Sequence, residues 1–213
     1  MSRDDPRFAT VVLAGGQSTR LGRDKVMEPL AGKPMLQHVL DRAVQVRELC
    51  VIVRAEAGLL PGIDVPQLTV WSIDDLPGTG PLGGLYSGLK TAFGDAEELY
   101  RAEYAFVVAC DMPLLQRGLL EELRRLAPEH EAVVPVSEEG LPEPLCAVYS
   151  PDCIGPIRRR LEDGDLKMAS FFEDVRTLFV PPEHWRRFDP GGLSFLNVNR
   201  EEDLARAKEI LEY

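Results

Sequence analysis

LAGGQSTRLGRDK, residues 13–25, follows an apolar run from Phe8 to Val12 and precedes an amphipathic segment that begins at Pro34. A β-branched run breaking into Gly15-Gly16 reads as a buried strand that turns sharply into a loop. Glycines let a backbone approach a phosphate chain closely, and free N–H groups in such a loop form an anion-binding nest. Arg20 and Lys25 supply cations to neutralise what the nest holds, so the stretch reads as a triphosphate site. The plainer alternative is a strand-to-helix turn with solvated charges. Two common phosphate patterns fail here: G-x-G-x-x-G is absent, and G-x-x-x-x-G-K-[ST] breaks because Arg23 follows Gly22.

Outward from this loop the chain alternates strand and helix. Strands are expected at Phe8–Ala14, Leu49–Arg54, Leu68–Ile73, Tyr104–Cys110, Ala132–Val136, Leu145–Tyr149 and Thr177–Val180. The first, second and fourth are continuous apolar runs, as strands buried on both faces should be. Helical spacing links Met35, Leu36, Val39, Leu40, Ala43 and Val44, then Leu82, Leu85, Tyr86 and Leu89, then Leu119, Leu120, Leu123 and Leu126, with a last helix over Glu201–Leu211. The pattern predicts an α/β fold, a mainly parallel twisted sheet with helices on both faces, in one domain spanning residues 1–213.

In such sheets ligands bind beyond the carboxyl ends of the strands. Asp74 ends the third run and Asp111 the fourth, so a phosphate loop and two carboxylates are expected at one edge. A carboxylate there suits Mg²⁺, which takes one or two carboxylates together with substrate phosphates. Asp111 could instead cap a helix over Leu114–Leu126, and Asp74 could simply form the turn into Leu76-Pro77-Gly78. Asp75 reads as a solvated neighbour. Gly83-Gly84 at a helix start allow close approach to backbone N–H groups. Asn197 and Asn199 alternate, so both amides would face one side of an extended segment, and Asn199 is also a candidate N-cap for the last helix.

The 213 residues, 45% of them hydrophobic, suffice for a sizeable core. No run approaches the ~20 apolar residues that span a bilayer, and MSRDDPRF has no apolar signal core, so a cytoplasmic protein without a membrane partner is expected. Four cysteines without C-x-x-C spacing read as reduced core thiols. A net charge of −11 with no long basic run argues against nucleic acid. Arg158-Arg159-Arg160 reads as a solvated helix face, with a role in holding an anionic substrate as the sharper alternative. His38, His130 and His184 read as structural, and Trp71 and Trp185 as packing residues, although Trp185 could stack on a planar ligand.

LAGGQSTRLGRDK resembles the signature loop of nucleotidyltransferases that activate phosphorylated substrates with an NTP. Asp74 with GTGPLGG (78–84), VACDMPLL (108–115) and FLNVNREEDL (195–204) extend the likeness, and together the four resemble the molybdenum cofactor guanylyltransferase (MobA) family. The resemblance implies a Rossmann-like nucleotidyltransferase fold. It also implies Mg²⁺-dependent transfer of GMP from GTP to the phosphate of a molybdopterin-type cofactor, with release of pyrophosphate. Carried onto this sequence, it makes Arg20, Lys25 and Asp111 catalytic. Leu13, Ala14, Gly15, Gly16, Lys25, Arg54, Asp74, Gly80 and Asp111 become nucleotide-binding, and Asp111 with Asn197 the metal ligands. The family's second strand often ends in Asn; here Arg54 stands there, facing phosphate, substrate or solvent. Cytidylyl transfer to the same cofactor, transfer to a sugar or polyol phosphate, and a silent nucleotide-binding regulator are the alternatives. Transient docking with cofactor-delivery or molybdenum-enzyme partners is compatible with the likeness.

Overall fold

The computed structural model describes residues 6–15, 25–45, 48–56, 60–94 and 102–212. Its centre is β1 (Phe8–Leu13), buried along nearly its whole length and paired in parallel with β4 (Leu49–Arg54) and β6 (Tyr104–Ala109). Beyond β4 lies parallel β5 (Thr69–Ile73), and beyond β6 come β8 (Cys146–Tyr149), β7 (Ala132–Pro135) and β9 (Thr177–Val180). The order is β5-β4-β1-β6-β8-β7-β9, with β8 antiparallel to both neighbours. The sheet is therefore mixed but mostly parallel. Each expected strand is present, several of them one residue shorter than the apolar run at one end.

Pleating divides the core. Val12, Cys50, Ile52, Phe106 and Val108 face α1 (Met35–Ala43) and α3 (Arg117–Leu126), while Ala9, Val11, Leu13, Val51 and Val53 face α2 (Gly80–Ala92). α4 (Ile154–Glu162) joins α2 on that second face. α2 lies close on the sheet at Gly88, where a Cβ would collide with Val11 and Val53. The short α5 (Pro182–Trp185) and the closing α6 (Glu201–Glu212) complete the helices.

Two features depart from the sequence expectation. Val44 ends α1 as its cap instead of continuing it. A hairpin of two-residue strands, β2 (Pro29–Leu30) and β3 (Lys33–Pro34), precedes α1 and turns through Ala31 and Gly32 at φ of 45° and 82°. Positive φ at both central residues matches strand twist in two-residue hairpins. This hairpin carries Leu30 into a third small core with Met35, Leu114, Val198, Leu204 and Ala207, which fastens α6 to the sheet's carboxyl edge.

Between β1 and α3 lies a buried polar cluster. Arg124 donates to both carboxylate oxygens of Glu48 at 2.9 and 3.0 Å and to the Ala43 carbonyl at 3.2 Å. Thr10 donates to Glu48 at 2.6 Å. The guanidinium also lies over the rings of Phe8 and Phe106, 5.3 and 5.9 Å from their centroids.

Candidate active site

Four chain segments reach the sheet's carboxyl edge side by side. Ala14 N–H donates to Val53 O (2.8 Å), Asp74 N–H to Arg54 O (2.8 Å) and Cys110 N–H to Leu13 O (3.0 Å), so each ladder runs on past its strand. A cleft of about 1070 Å³ opens there. Leu13, Ala14, Gly15, Lys25, Arg54, Asp74, Gly80, Asp111 and Asn197 all line it. Gly16 and Arg20 lie outside the described residues. Pro81 and Gly84 of the GTGPLGG stretch also line the cleft, as does Leu145, which no charged or motif signal announces.

α2 begins at the cleft wall, where its unsatisfied N–H groups and dipole favour an anion. The turn into it requires φ of +90° at Gly78 and +68° at Gly80, values that a side chain would resist. Asp74 serves this turn: its Oδ1 accepts from Leu76 N–H and from Ser87 Oγ, both at 3.1 Å. The turn-forming reading of Asp74 is thus what its hydrogen bonds show, at a position that also lines the cleft. Asp75 makes an exposed ion pair with Lys90 at 2.8 Å.

Asp111 does not cap a helix, because α3 starts at Arg117 with Gln116 at the cap position. Instead its backbone carbonyl accepts from Val198 N–H at 2.8 Å, which docks the 197–199 segment beside it. Lys25 Nζ sits 3.3 Å from Asp111 Oδ2 and 2.5 Å from Asn199 Oδ1. The Lys25 and Asp111 side chains are only 16% and 18% exposed. Asp111 Oδ1 is buried with no hydrogen-bond partner among the described residues. Burial pushes the Asp111 carboxyl above its ordinary pKa, against the pull of Lys25. A buried carboxylate oxygen with nothing to bind is a desolvation cost that a cation would relieve, so the donor set fits a divalent metal.

Asn199, a candidate for capping the last helix and for a place near the metal, uses its side-chain Oδ1 to accept from Lys25. Asp203 caps α6, its Oδ2 accepting from the N–H groups of Asn199 (2.9 Å) and Arg200 (2.8 Å). That frees the Asn199 amide for Lys25. Asn197 lines the cleft and donates to Phe195 O at 3.3 Å.

Trp185 cannot stack on a ligand: it is 1% exposed, donates its indole N–H to Val136 O at 2.8 Å and meets Phe195 edge-on. Arg158 and Arg160 pair with Glu162 and Asp174 on the outer face of α4, which leaves the solvated reading in place. His38, His130 and His184 bond Leu30 O, Leu126 O and Glu122, and the four cysteines are buried and in no disulfide. No described helix is long and apolar enough to cross a membrane.

Glu143, between Pro142 and Pro144, leads into β8 where Leu145 O accepts from Ala109 N–H at 3.1 Å. Burial, reinforced by Glu139, pushes its carboxyl up to about 7 from 4.5. A folded-state pKa above the unfolded one means a contribution that is full below pH 4.5 and lost as pH rises through 7. Glu143→Gln is therefore expected to be more stable than wild type at pH 8 by about 1–2 kcal/mol, discounted for partial exposure. Melting curves from pH 5 to 8 should show the difference shrinking on acidification. An equal difference at both ends would remove the titration account.

A family model described as a MobA-like NTP transferase domain matches residues 10–178. A protein from Desulfosudis oleivorans named molybdenum cofactor guanylyltransferase is 32% identical over 204 residues, covering 95% of each chain. One from Natronomonas pharaonis, named probable molybdenum cofactor guanylyltransferase, is 35% identical over 94% of this chain and 96% of its own. The crystal structure of molybdopterin-guanine dinucleotide biosynthesis protein A from Archaeoglobus fulgidus superposes with a TM-score of 0.77 at 27% identity, covering 96% of this chain and 98% of that one.

Proposed function

The chain belongs to the MobA-like NTP transferase family and is a nucleotidyltransferase, and on that premise we propose that it transfers GMP from GTP to the terminal phosphate of a molybdopterin-type cofactor, releasing pyrophosphate. The whole of residues 1–213 is read as one such domain, since strands drawn from residues 8 to 180 join one sheet. The observation that carries the reading is convergence. Lys25, Asp111 and Asn197, far apart in sequence, meet at one cleft beside the start of α2.

The acceptor phosphate is already anionic, so no Ser–His or Cys–His activation is needed. An acceptor oxygen attacks the α-phosphorus in line and pyrophosphate leaves. The chain's task is to orient two anions and offset the charge spreading over phosphate oxygens. Gly15 and Gly16 offer backbone N–H groups to the β- and γ-phosphates, and Arg20 and Lys25 neutralise them. Leu13, Ala14, Asp74 and Gly80 shape the nucleoside side, and Arg54 approaches from the end of β4. Asp111 and Asn197 would hold Mg²⁺, which would supply charge neutralisation to the phosphates. The reading places the reaction in the cytoplasm, where four buried cysteines in no disulfide are at home.

The test is a thermal-shift panel of GTP, CTP, ATP and UTP with Mg²⁺, followed by a pyrophosphate-release assay with molybdopterin. At about 100 times Kd, GTP should add about 2.7 kcal/mol, a shift of roughly 5–10 °C at this size. A larger shift with CTP would move the assignment to cytidylyl transfer. GTP binding without pyrophosphate release in the presence of acceptor would mark a silent nucleotide binder.

A further inference from the structure

The Lys25 ammonium lies where a cation belongs. It is 3.3 Å from Asp111 Oδ2 and 2.5 Å from Asn199 Oδ1, in a largely enclosed spot. It answers one oxygen of Asp111 and leaves the other buried and without a partner among the described residues. Asn199 is brought there by the Val198–Asp111 backbone bond and released from capping by Asp203, so its amide serves as a neutral holder for the ammonium.

We infer that Lys25 and Asn199 form a cation gate: in the nucleotide-free protein the ammonium occupies the metal position beside Asp111, and a divalent ion enters fully only when phosphates draw that ammonium away. The inference rests on the reading of Asp111 as metal ligand. Its physical basis is simple. A lysine is a compact charge on a flexible stem, free to exchange a carboxylate and an amide for a triphosphate. An ammonium and a divalent ion on one carboxylate repel each other at short range. Metal and nucleotide are then coupled, each raising the other's affinity by the same factor. Asn199 acts as a positioning residue that decides where the lysine waits.

The experiment is a Mn²⁺ titration of the full chain, read by the electron paramagnetic resonance of free Mn²⁺. It is run without nucleotide and with a non-hydrolysable GTP analogue. Without nucleotide, Lys25→Met and Lys25→Gln should each bind Mn²⁺ at least about tenfold tighter than wild type, and Lys25→Arg should stay weak. Adding Asp111→Asn to Lys25→Met should abolish the gain. If both neutral variants, folded by their melting curves, bind no tighter than wild type while the analogue promotes Mn²⁺ binding through Asp111, the gate is wrong and the metal assignment stands. If Asp111→Asn binds Mn²⁺ as wild type does with the analogue present, the metal assignment falls and the gate with it.

Discussion

Asp111→Asn is expected to slow pyrophosphate release from GTP by about 10²–10³-fold, the scale of one lost electrostatic stabiliser in an enclosed site. The substitution keeps the shape of the side chain and its ability to accept from Lys25. It also removes a carboxyl that burial already holds above its ordinary pKa. A raised carboxyl withdraws stability as pH climbs through its folded value, so the asparagine variant should melt no lower than wild type at pH 8. The two readouts therefore move apart, with rate falling and stability held or gained. Steady-state turnover and melting temperature on the same preparation check this. Turnover within threefold of wild type would remove Asp111 from the reaction, and a collapsed melting temperature would make it a structural residue.

Arg124→Met carries the largest expected loss of stability, about 3–5 kcal/mol, because it strands the Glu48 carboxylate among apolar side chains. Glu48 and Arg124 are only 7% exposed each, and Thr10 and the Ala43 carbonyl complete the cluster. Methionine keeps much of the stem that packs on Phe8 and Phe106, so the lost charge dominates. A loss of this size is a large share of the 5–15 kcal/mol typical of a domain. Denaturant unfolding should place the midpoint far below wild type, and Glu48→Gln in the Arg124→Met background should recover part of it. Strict additivity of the two changes would mean that the pair does not act as a unit.

The carboxyl edge was readable because β1, β4 and β6 are continuous apolar runs, each ending in a change of residue type: Gly15 after β1, Arg54 at the end of β4 and Asp111 after β6. Burial on both faces writes itself into composition. Direction does not, and Cys146–Tyr149 looks the same whether it runs with its neighbours or, as here, against them. The β2–β3 hairpin has two residues per strand, too few for any period, and its turn uses an alanine where glycine or asparagine would have signalled it. Asn199 stood in a cap-like position, and only the fold shows that Asp203 takes that task. The Glu48–Arg124 pair spans 76 residues, and neither charge differs locally from a solvated one. Arg20 and Gly16, central to the sequence argument, fall outside the described residues.

Lys25 and its Asn199 partner are 174 positions apart, and α6 is seated by the same small core that holds the β2–β3 hairpin. During synthesis, then, Lys25 and the first strands are made long before the segment that carries Asn199. No amino-terminal fragment that stops short of residue 199 can hold Lys25 as the finished protein does. A chain cut just before Asn199 therefore keeps the residues of every strand, the last of which ends at Val180, and loses the amide that holds the Lys25 ammonium.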